Sequence, residues 1–271
     1  MTPKFVNTAT VRTRESLVLK GGSRRHLSLR VRLGILERPD GLVLIDAGYS
    51  TEAISAPNRS WGLRAYAWAF SPELLEDGDP VTALARLGYT PGDVSAVIVT
   101  HFHVDHVSAL GRFPRARLIA HGPTFARVTR RGTFSNLRRG IFPELLPADM
   151  RHRLDDVTAR PERDAPHGLG PGWDLFGDGS VLAIDLPGHA EGHFGLCFPL
   201  AATPLLYATD VQWLRAALPD RGPGFPASLI AEDRRAAQDS ISRVARFAAA
   251  GGEVMLCHDP EPTAHDLGTP T

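Results

Sequence analysis

The stretch Thr100-His101-Phe102-His103-Val104-Asp105-His106 constrains this chain more than any other. Four side chains able to bind a divalent metal fall within six residues, directly after the apolar run Val97-Ile98-Val99. On a helix, His101 and His103 would point about 200° apart, so a helix cannot aim both at one ion. In an extended segment at a strand end they share a face, and Asp105, two residues on, shares it too. His106, where the chain turns, points elsewhere. This order of ligand types arises by chance in about one chain in a thousand of such composition. The reading is a loop at the carboxyl end of a strand, offering ligands to two neighbouring ions.

Three further strand ends carry ligand-type residues in the same way. They are Asp185-Leu186-Pro187-Gly188-His189, then Leu206-Tyr207-Ala208-Thr209-Asp210, then Leu256-Cys257-His258. A single His or Asp at a strand end is ordinarily no more than a polar terminus. Four such junctions in one chain point to a metal site.

The remaining sequence bounds the scaffold. A length of 271 residues with 43% apolar and 22% charged content is enough for a sizeable core. Net charge is zero, so neither nucleic acid nor an anionic membrane surface is called for. The clusters Arg24-Arg25, Arg130-Arg131 and Arg138-Arg139 read as solvated faces. Two cysteines, Cys197 and Cys257, sit in apolar stretches and read as buried reduced thiols. No run approaches the roughly 18 apolar residues of a membrane span, and residues 1–20 lack the pattern of a leader. A cytoplasmic enzyme is the expectation.

Along the chain, strands are predicted at Leu17–Leu19, Leu27–Leu36, Leu42–Ile45, Ala96–Val99, Arg117–Ala120, Leu182–Leu186, Gly195–Phe198, Leu205–Ala208 and Val254–Leu256. Pro39-Asp40-Gly41 makes a hairpin of the second and third. Helices are predicted at Pro80–Leu87, Pro123–Arg131 and Ser228–Ala250. Residues 56–80 read as irregular and aromatic, residues 148–172 as a surface excursion, and Pro219–Pro226 as a loop. Residues 1–271 are expected to form a single domain with surface insertions near 56–80 and 148–172.

Together, His101-x-His103-x-Asp105-His106, Pro187-Gly188-His189-x-x-Gly192-His193, Thr209-Asp210 and His258 resemble the metallo-β-lactamase-fold hydrolases. Asp46-Ala47-Gly48 is similar to the aspartate-bearing strand end that precedes the metal motif in that family. The resemblance runs from about Leu42 to His258. It implies an α/β fold, a four-layer αββα sandwich. It also implies two Zn²⁺ ions per chain, with Fe or Mn as other candidates. His101, His103 and His189 would hold the first ion and Asp105, His106 and His258 the second, with Asp210 bridging. Imidazole and carboxylate ligands suit Zn²⁺. Two ions about 3.5–4 Å apart can share a hydroxide that is nucleophilic at neutral pH. Asp105 and Asp210 are thus the catalytic candidates, Asp105 as the acid that protonates the leaving group. Asp46 would orient a ligand histidine. His193 is expected to support structure rather than bind metal, and His121 to be an ordinary hydrogen-bonded histidine.

Within the family the pattern is most similar to the N-acyl-homoserine lactonases, the quorum-quenching enzymes that open lactone esters. Asp210 stands where class B1 β-lactamases use Cys. Those lactonases carry Tyr three residues after the bridging Asp, whereas this chain has Trp213. An indole N–H donates one hydrogen bond but does not shuttle a proton. Phe102 and Trp213 are the substrate-contact candidates. Trp61, Trp68, Leu214 and Phe225 are further apolar candidates for a pocket wall. The expected activity is metal-dependent hydrolysis of a small ester or lactone, without nucleic-acid or membrane partners and with a homodimer left open. The alternatives are a phosphoesterase or organophosphate hydrolase, a glyoxalase II-like thioesterase, or a non-hydrolytic iron-binding protein.

Overall fold

In the computed structural model, residues 2–218 and 232–268 are described. The expected loop Pro219–Pro226, Phe225 within it, and the first residues of the long C-terminal helix expected from Ser228 lie outside them. The chain divides into two compact units that exchange segments.

One unit comprises Pro3–Arg12, Arg30–Asp155 and the residues from Ala264 onward. Its elements begin with β1 (Lys4–Arg14), followed by the short helix α1 (Glu15–Val18) of the other unit, then β2 (His26–Arg38) and β3 (Gly41–Ile45). Helices α2 (Thr51–Ile54) and α3 (Trp61–Phe70), β4 (Glu73–Leu74) and α4 (Pro80–Arg86) come next. Then come β5 (Val94–Val99), α5 (Val104–Val107), β6 (Arg117–Ala120), α6 (Gly122–Arg130), α7 (Thr133–Leu137), α8 (Met150–Arg153) and β7 (Leu154–Asp156).

The seven strands form one sheet in the order β4-β1-β2-β3-β5-β6-β7. β2 and β3 pair antiparallel from Gly34↔Ile45 to Arg38↔Gly41, the expected hairpin. β5 runs parallel to both β3 and β6. Its sequence, VSAVIV, is almost continuously apolar and almost wholly buried, as a strand covered on both faces requires. α4 supplies the crossover into it, with the Asp79 carboxylate accepting from the N–H groups of Val81 and Thr82 at 3.1 Å each. The C-terminal segment is pinned to β1 and β2. Phe5 exchanges backbone bonds with His265 and Leu267, and the buried Arg32 guanidinium donates to both oxygens of Asp266 at 2.8 and 2.9 Å.

The other unit comprises Thr13–Leu29 and Asp156–Thr263. It contains β8 (Glu162–Ala165), β9 (Gly170–Asp174), β10 (Leu182–Asp185), β11 (Phe194–Phe198), β12 (Leu205–Tyr207), α9 (Arg234–Ala249) and β13 (Glu253–Met255). The sheet order is β13-β12-β11-β10-β9-β8. Ile241, Val244 and Phe247 of α9 pack on Leu182, Ile184, Leu206 and Val254 of this sheet.

Four expectations need correction. Leu17–Leu19 is not a strand: the chain curls around the Glu15 carboxylate, which accepts from Ser23 and Arg25, and the N–H of Leu19 closes a helical turn on the Glu15 carbonyl. Residues 56–80 are not irregular throughout, because Ser60 caps a ten-residue helix, α3. Residues 148–172 hold β8 and the start of β9, a hairpin whose Gly170-Pro171-Gly172 pairs with β8 but lies beyond the part of β9 that pairs with β10, so Pro171 is tolerated there. The backbone stops being extended at His103. The bonds from the N–H of His106 to the His103 carbonyl and from that of Ser108 to Val104 wind Asp105 and His106 into α5.

Candidate metal centre

The seven candidate ligands fall into two groups, one in each unit. In the first, β5 ends at Val99 and the next seven residues are clamped from below by Asp46, the residue after β3. Asp46 is 1% exposed and has φ of 60°, a left-handed conformation uncommon for a non-glycine residue. Its N–H donates to the Ile98 carbonyl, which holds the strained residue against β5. Its carboxylate accepts from the Thr100 N–H at 2.9 Å, from the Thr100 hydroxyl at 3.0 Å and from Nδ1 of His106 at 2.8 Å.

That last bond sets the chemistry of His106. With its proton held on Nδ1 by a carboxylate, the ring presents a lone pair at Nε2, the form a metal-ligating imidazole must take. Nε2 of His106 lies 3.4 Å from Oδ2 of Asp105. Nε2 of His101 and Nδ1 of His103 approach to 3.1 Å with their rings at 79°. Two imidazole nitrogens so close can share a proton or converge on one cation. A bridge between His103 and Ile141 fixes the His103 backbone.

The second group is built on the carboxyl ends of β10, β12 and β13. Asp210 follows Thr209, whose φ of 48° marks a second strained non-glycine residue next to a candidate ligand. Oδ2 of Asp210 lies 2.9 Å from Nε2 of His258 and 3.5 Å from Nε2 of His189. One carboxylate oxygen is thus flanked by two imidazole nitrogens, the disposition expected of a bridging ligand. His193 is turned away from this cluster: Nδ1 donates to the Leu186 carbonyl at 2.6 Å, and Nε2 accepts from the Thr209 hydroxyl. Fully buried, His193 holds the strained Thr209 in place. Gly188, with φ of 121°, lets the N-terminus of α9 approach. A Cβ there would lie 2.1 Å from the Ala237 nitrogen.

Cys257 was read as a packing thiol, and its side chain is buried. Even so, its Sγ, an oxygen of Asp210 and a ring nitrogen of His258 lie within 4.8 Å of one another. Its place in the Leu256-Cys257-His258 strand end was the signal available. Cys197, by contrast, is inert core, its thiol pushed up to about 12 by burial.

The apolar candidates separate clearly. Trp213 stands beside the cluster, its ring 6.3 Å from that of His258 at 87°. Phe102 does not face a substrate: it is 2% exposed and packs in the core near Phe125. Leu214 is core as well, while Trp61 and Trp68 lie on the surface. His121 accepts from the Thr124 N–H through Nδ1, capping α6. Tyr66 was not singled out in the sequence, yet its ring lies 3.6 Å from the Cβ position of Gly140, and Cδ2 of His103 lies 3.5 Å from the same point. Tyr49 lies buried beneath. Burial first, then Tyr66 and the Asp105 charge, push its hydroxyl well above the usual range.

The donor set fits a divalent cation. It offers neutral imidazole nitrogens, one of them fixed in its tautomer by Asp46, and carboxylate oxygens in contact with them. This is an N/O set that suits Zn²⁺, Fe²⁺ or Mn²⁺.

Residues 31–250 match the metallo-beta-lactamase superfamily. The chain is 27% identical over 261 residues to the N-acyl homoserine lactonase AttM of Azorhizobium caulinodans, covering 91% of this chain and 88% of that protein. It is 27% identical over 247 residues to the N-acyl homoserine lactonase AiiB of Agrobacterium fabrum, covering 88% and 83%. Among solved structures, an AiiA variant from B. thuringiensis with N-decanoyl-L-homoserine bound superposes with a TM-score of 0.69 at 20% identity, covering 95% of this chain and 92% of that one. The dizinc quorum-quenching lactonase AidC, with N-hexanoyl-type product, gives 0.64 at 16% identity, covering 94% and 86%. The fold shared with these lactonases is the metallo-beta-lactamase fold, mixed α/β with two sheets.

Proposed function

Because this chain belongs to the metallo-beta-lactamase superfamily, we propose that it is a two-metal hydrolase of small esters, acting on a lactone of the N-acyl-homoserine type. His101, His103 and His189 would hold one ion and Asp105, His106 and His258 the other, with Asp210 as the ligand they would share. The observation that carries this reading is Oδ2 of Asp210 flanked by Nε2 of His258 at 2.9 Å and Nε2 of His189 at 3.5 Å. Relatives named as lactonases, aligned over nine-tenths of the chain, support the choice of substrate.

When bound, two divalent ions activate water near neutral pH and polarise the scissile carbonyl. The chain's own residues do the rest. Asp46 keeps the His106 proton on Nδ1, so that Nε2 stays available for coordination throughout turnover. Asp105, 8% exposed, would take up the proton released by the attacking water and pass it to the departing alkoxide of the ring. Trp213 stands three residues after Asp210, with its indole N–H as a donor for a substrate oxygen and its face as an apolar wall.

The test is elemental analysis combined with a panel of lactones, aryl esters and aryl phosphotriesters. Two ions per chain and ring opening of an acyl lactone are expected, and His106→Ala should bind one ion in place of two. A protein with two ions bound that opens no lactone and cleaves no ester would refute the reading. Faster turnover of phosphotriesters would move it to the phosphoesterases.

A further inference from the structure

The zero net charge is an average that hides an arginine-rich stretch, in which Arg112 is paired with Glu52 and Asp79 and Arg117 with Asp155. Residues 106–143 contain eight arginines and neither Asp nor Glu. Residues 53–72, which include α3, add Arg59 and Arg64, again with no acid. These two segments meet in space: the Leu137 side chain of α7 comes within 3.3 Å of the Cβ position of Gly62 on α3, and Tyr66 of α3 packs edge-on against Phe142 at 5.3 Å.

The surface they form carries large aromatic groups that the core does not use. Trp61 is 72% exposed, Trp68 82% and Phe134 71%. On α3, Trp61, Ala65 and Trp68 fall within about 60° of one another around the axis, and the two indoles stand about 10.5 Å apart along it. The opposite side of α3 is satisfied, with Gly62 and Leu63 buried. Arg64 on α3, Arg130 at the end of α6 and Arg138 after α7 are exposed, and one acid, Glu144, accepts from the Ser60 N–H at the start of α3. Arg64 donates to the Pro57 and Arg59 carbonyls, neutral acceptors that leave its charge in place.

We propose that this α3–α7 face is a peripheral docking surface for an anionic phospholipid bilayer. Trp61, Trp68 and Phe134 enter the headgroup layer while the neighbouring arginines meet lipid phosphates. Indoles at the headgroup level place an apolar body against acyl chains and an N–H in water. Arginines beside them add attraction to anionic lipid that is screened by salt. Charge selects this occupant over a second copy of the chain, because a two-fold contact would set arginines against arginines. The convex outer side of a helix also suits a planar interface better than it does a strand of nucleic acid, which is held in a groove. Among the described residues, no helix is long and apolar enough to cross a membrane, so attachment would be superficial and reversible.

The full-length protein would be sedimented with vesicles of phosphatidylcholine alone and of phosphatidylcholine with about 30% phosphatidylglycerol, in low and high salt. Binding is expected to the anionic vesicles alone, with a blue shift of tryptophan emission, and to weaken at least about tenfold at high salt. The Trp61→Ala/Trp68→Ala variant should lose about tenfold or more in vesicle affinity, with hydrolysis of a short-chain ester unchanged. If that variant fails to fold, Arg130→Gln/Arg138→Gln with the same salt series takes its place. No preference for anionic vesicles would overturn the proposal. So would a wild-type dimer that the double variant dissociates, or tighter binding to a single-stranded oligonucleotide than to the vesicles.

Discussion

Asp46→Asn isolates the device that prepares His106, because it changes one atom and almost no volume. The buried carboxylate accepts from Thr100 through Oδ1 and from His106 Nδ1 through Oδ2. An asparagine can keep its carbonyl on the Thr100 N–H, but its amide then points two donors at Nδ1. The cheapest relief is for His106 to move its proton to Nε2 and accept at Nδ1, which removes the lone pair proposed to bind the metal. Loss of such an orienting carboxylate costs about 10–100-fold in metal affinity, about 1.4–2.7 kcal/mol. Folding should suffer less. One charge-assisted bond becomes a neutral one, a difference of about 1 kcal/mol, or about 2–4 °C in Tm for a chain of this size.

Competition against a chromophoric chelator reads the affinity, and melting of the metal-free protein reads the folding cost. The signature is a large loss in the first with a small loss in the second. Raising the pH should not restore binding, because the fault is a tautomer and not a protonation. A variant that takes up both ions with wild-type affinity would refute the reasoning, and so would one whose metal loss is matched by an equal loss of metal-free stability.

Other sites are open to equally direct tests. Asp266→Ala leaves the buried Arg32 guanidinium without its carboxylate and should cost about 3–5 kcal/mol in denaturant unfolding; a change under about 1 kcal/mol would mean the C-terminal segment contributes little. Gly188→Ala drives a Cβ to 2.1 Å from the Ala237 nitrogen and should destabilise by about 3 kcal/mol or more, visible as a lowered melting temperature of the metal-free protein; an unchanged melt would show that α9 can shift. Burial pushes the Glu52 carboxyl up, but hydrogen bonds from Arg112, Ser50 and the Glu52 backbone, together with the Arg112 charge, outweigh this and hold it at about 2 against an ordinary 4.5. Its contribution is therefore complete above pH 4.5 and lost as pH falls toward 2. With the side chain 43% exposed, the effect is about 1 kcal/mol at most; Glu52→Gln should flatten that part of the stability–pH curve, and an unaltered curve would assign the acid sensitivity elsewhere.

The parts of the fold legible in the sequence are those where one physical requirement excludes alternatives. β5 is covered on both faces, so its sequence had to be apolar at nearly every position, with Ser95 the exception, and the hairpin of β2 and β3 had to turn at Pro39-Asp40-Gly41. The parts that escaped are those where function or edge position overrides the pattern. α3 lost its amphipathic signature because its outward side carries Trp61 and Trp68. β1 was not recognised because Asn7, Thr8 and Thr10 occupy positions where a simple alternation would show larger apolar groups. β8 and β9 are disguised by the Pro and Gly of an edge hairpin. In the candidate site, residue types and strand-end positions were readable, but the winding of Asp105 and His106 into α5 was not. That turn depends on a hydrogen bond from the N–H of His106 to the carbonyl of His103, which any side-chain sequence can make.

Two of the four non-glycine residues with positive φ among the described residues show where stability has been given up for geometry. Asp46 and Thr209 both hold positive φ, each costing about 1–3 kcal/mol; Asp46 directly follows β3, Thr209 follows β12 with Ala208 between, and each lies beside a candidate ligand. Both are over-determined by buried polar contacts: Asp46 by Thr100, His106 and the Ile98 carbonyl, Thr209 by the His193 ring. A polar residue at these points can do what glycine cannot, because its side chain sets the direction of the next ligand while its backbone turns the chain. Replacing either with Gly would relieve the backbone and is still expected to weaken metal binding. Strain and the polar contacts that hold it therefore form one mechanism, repeated once in each unit.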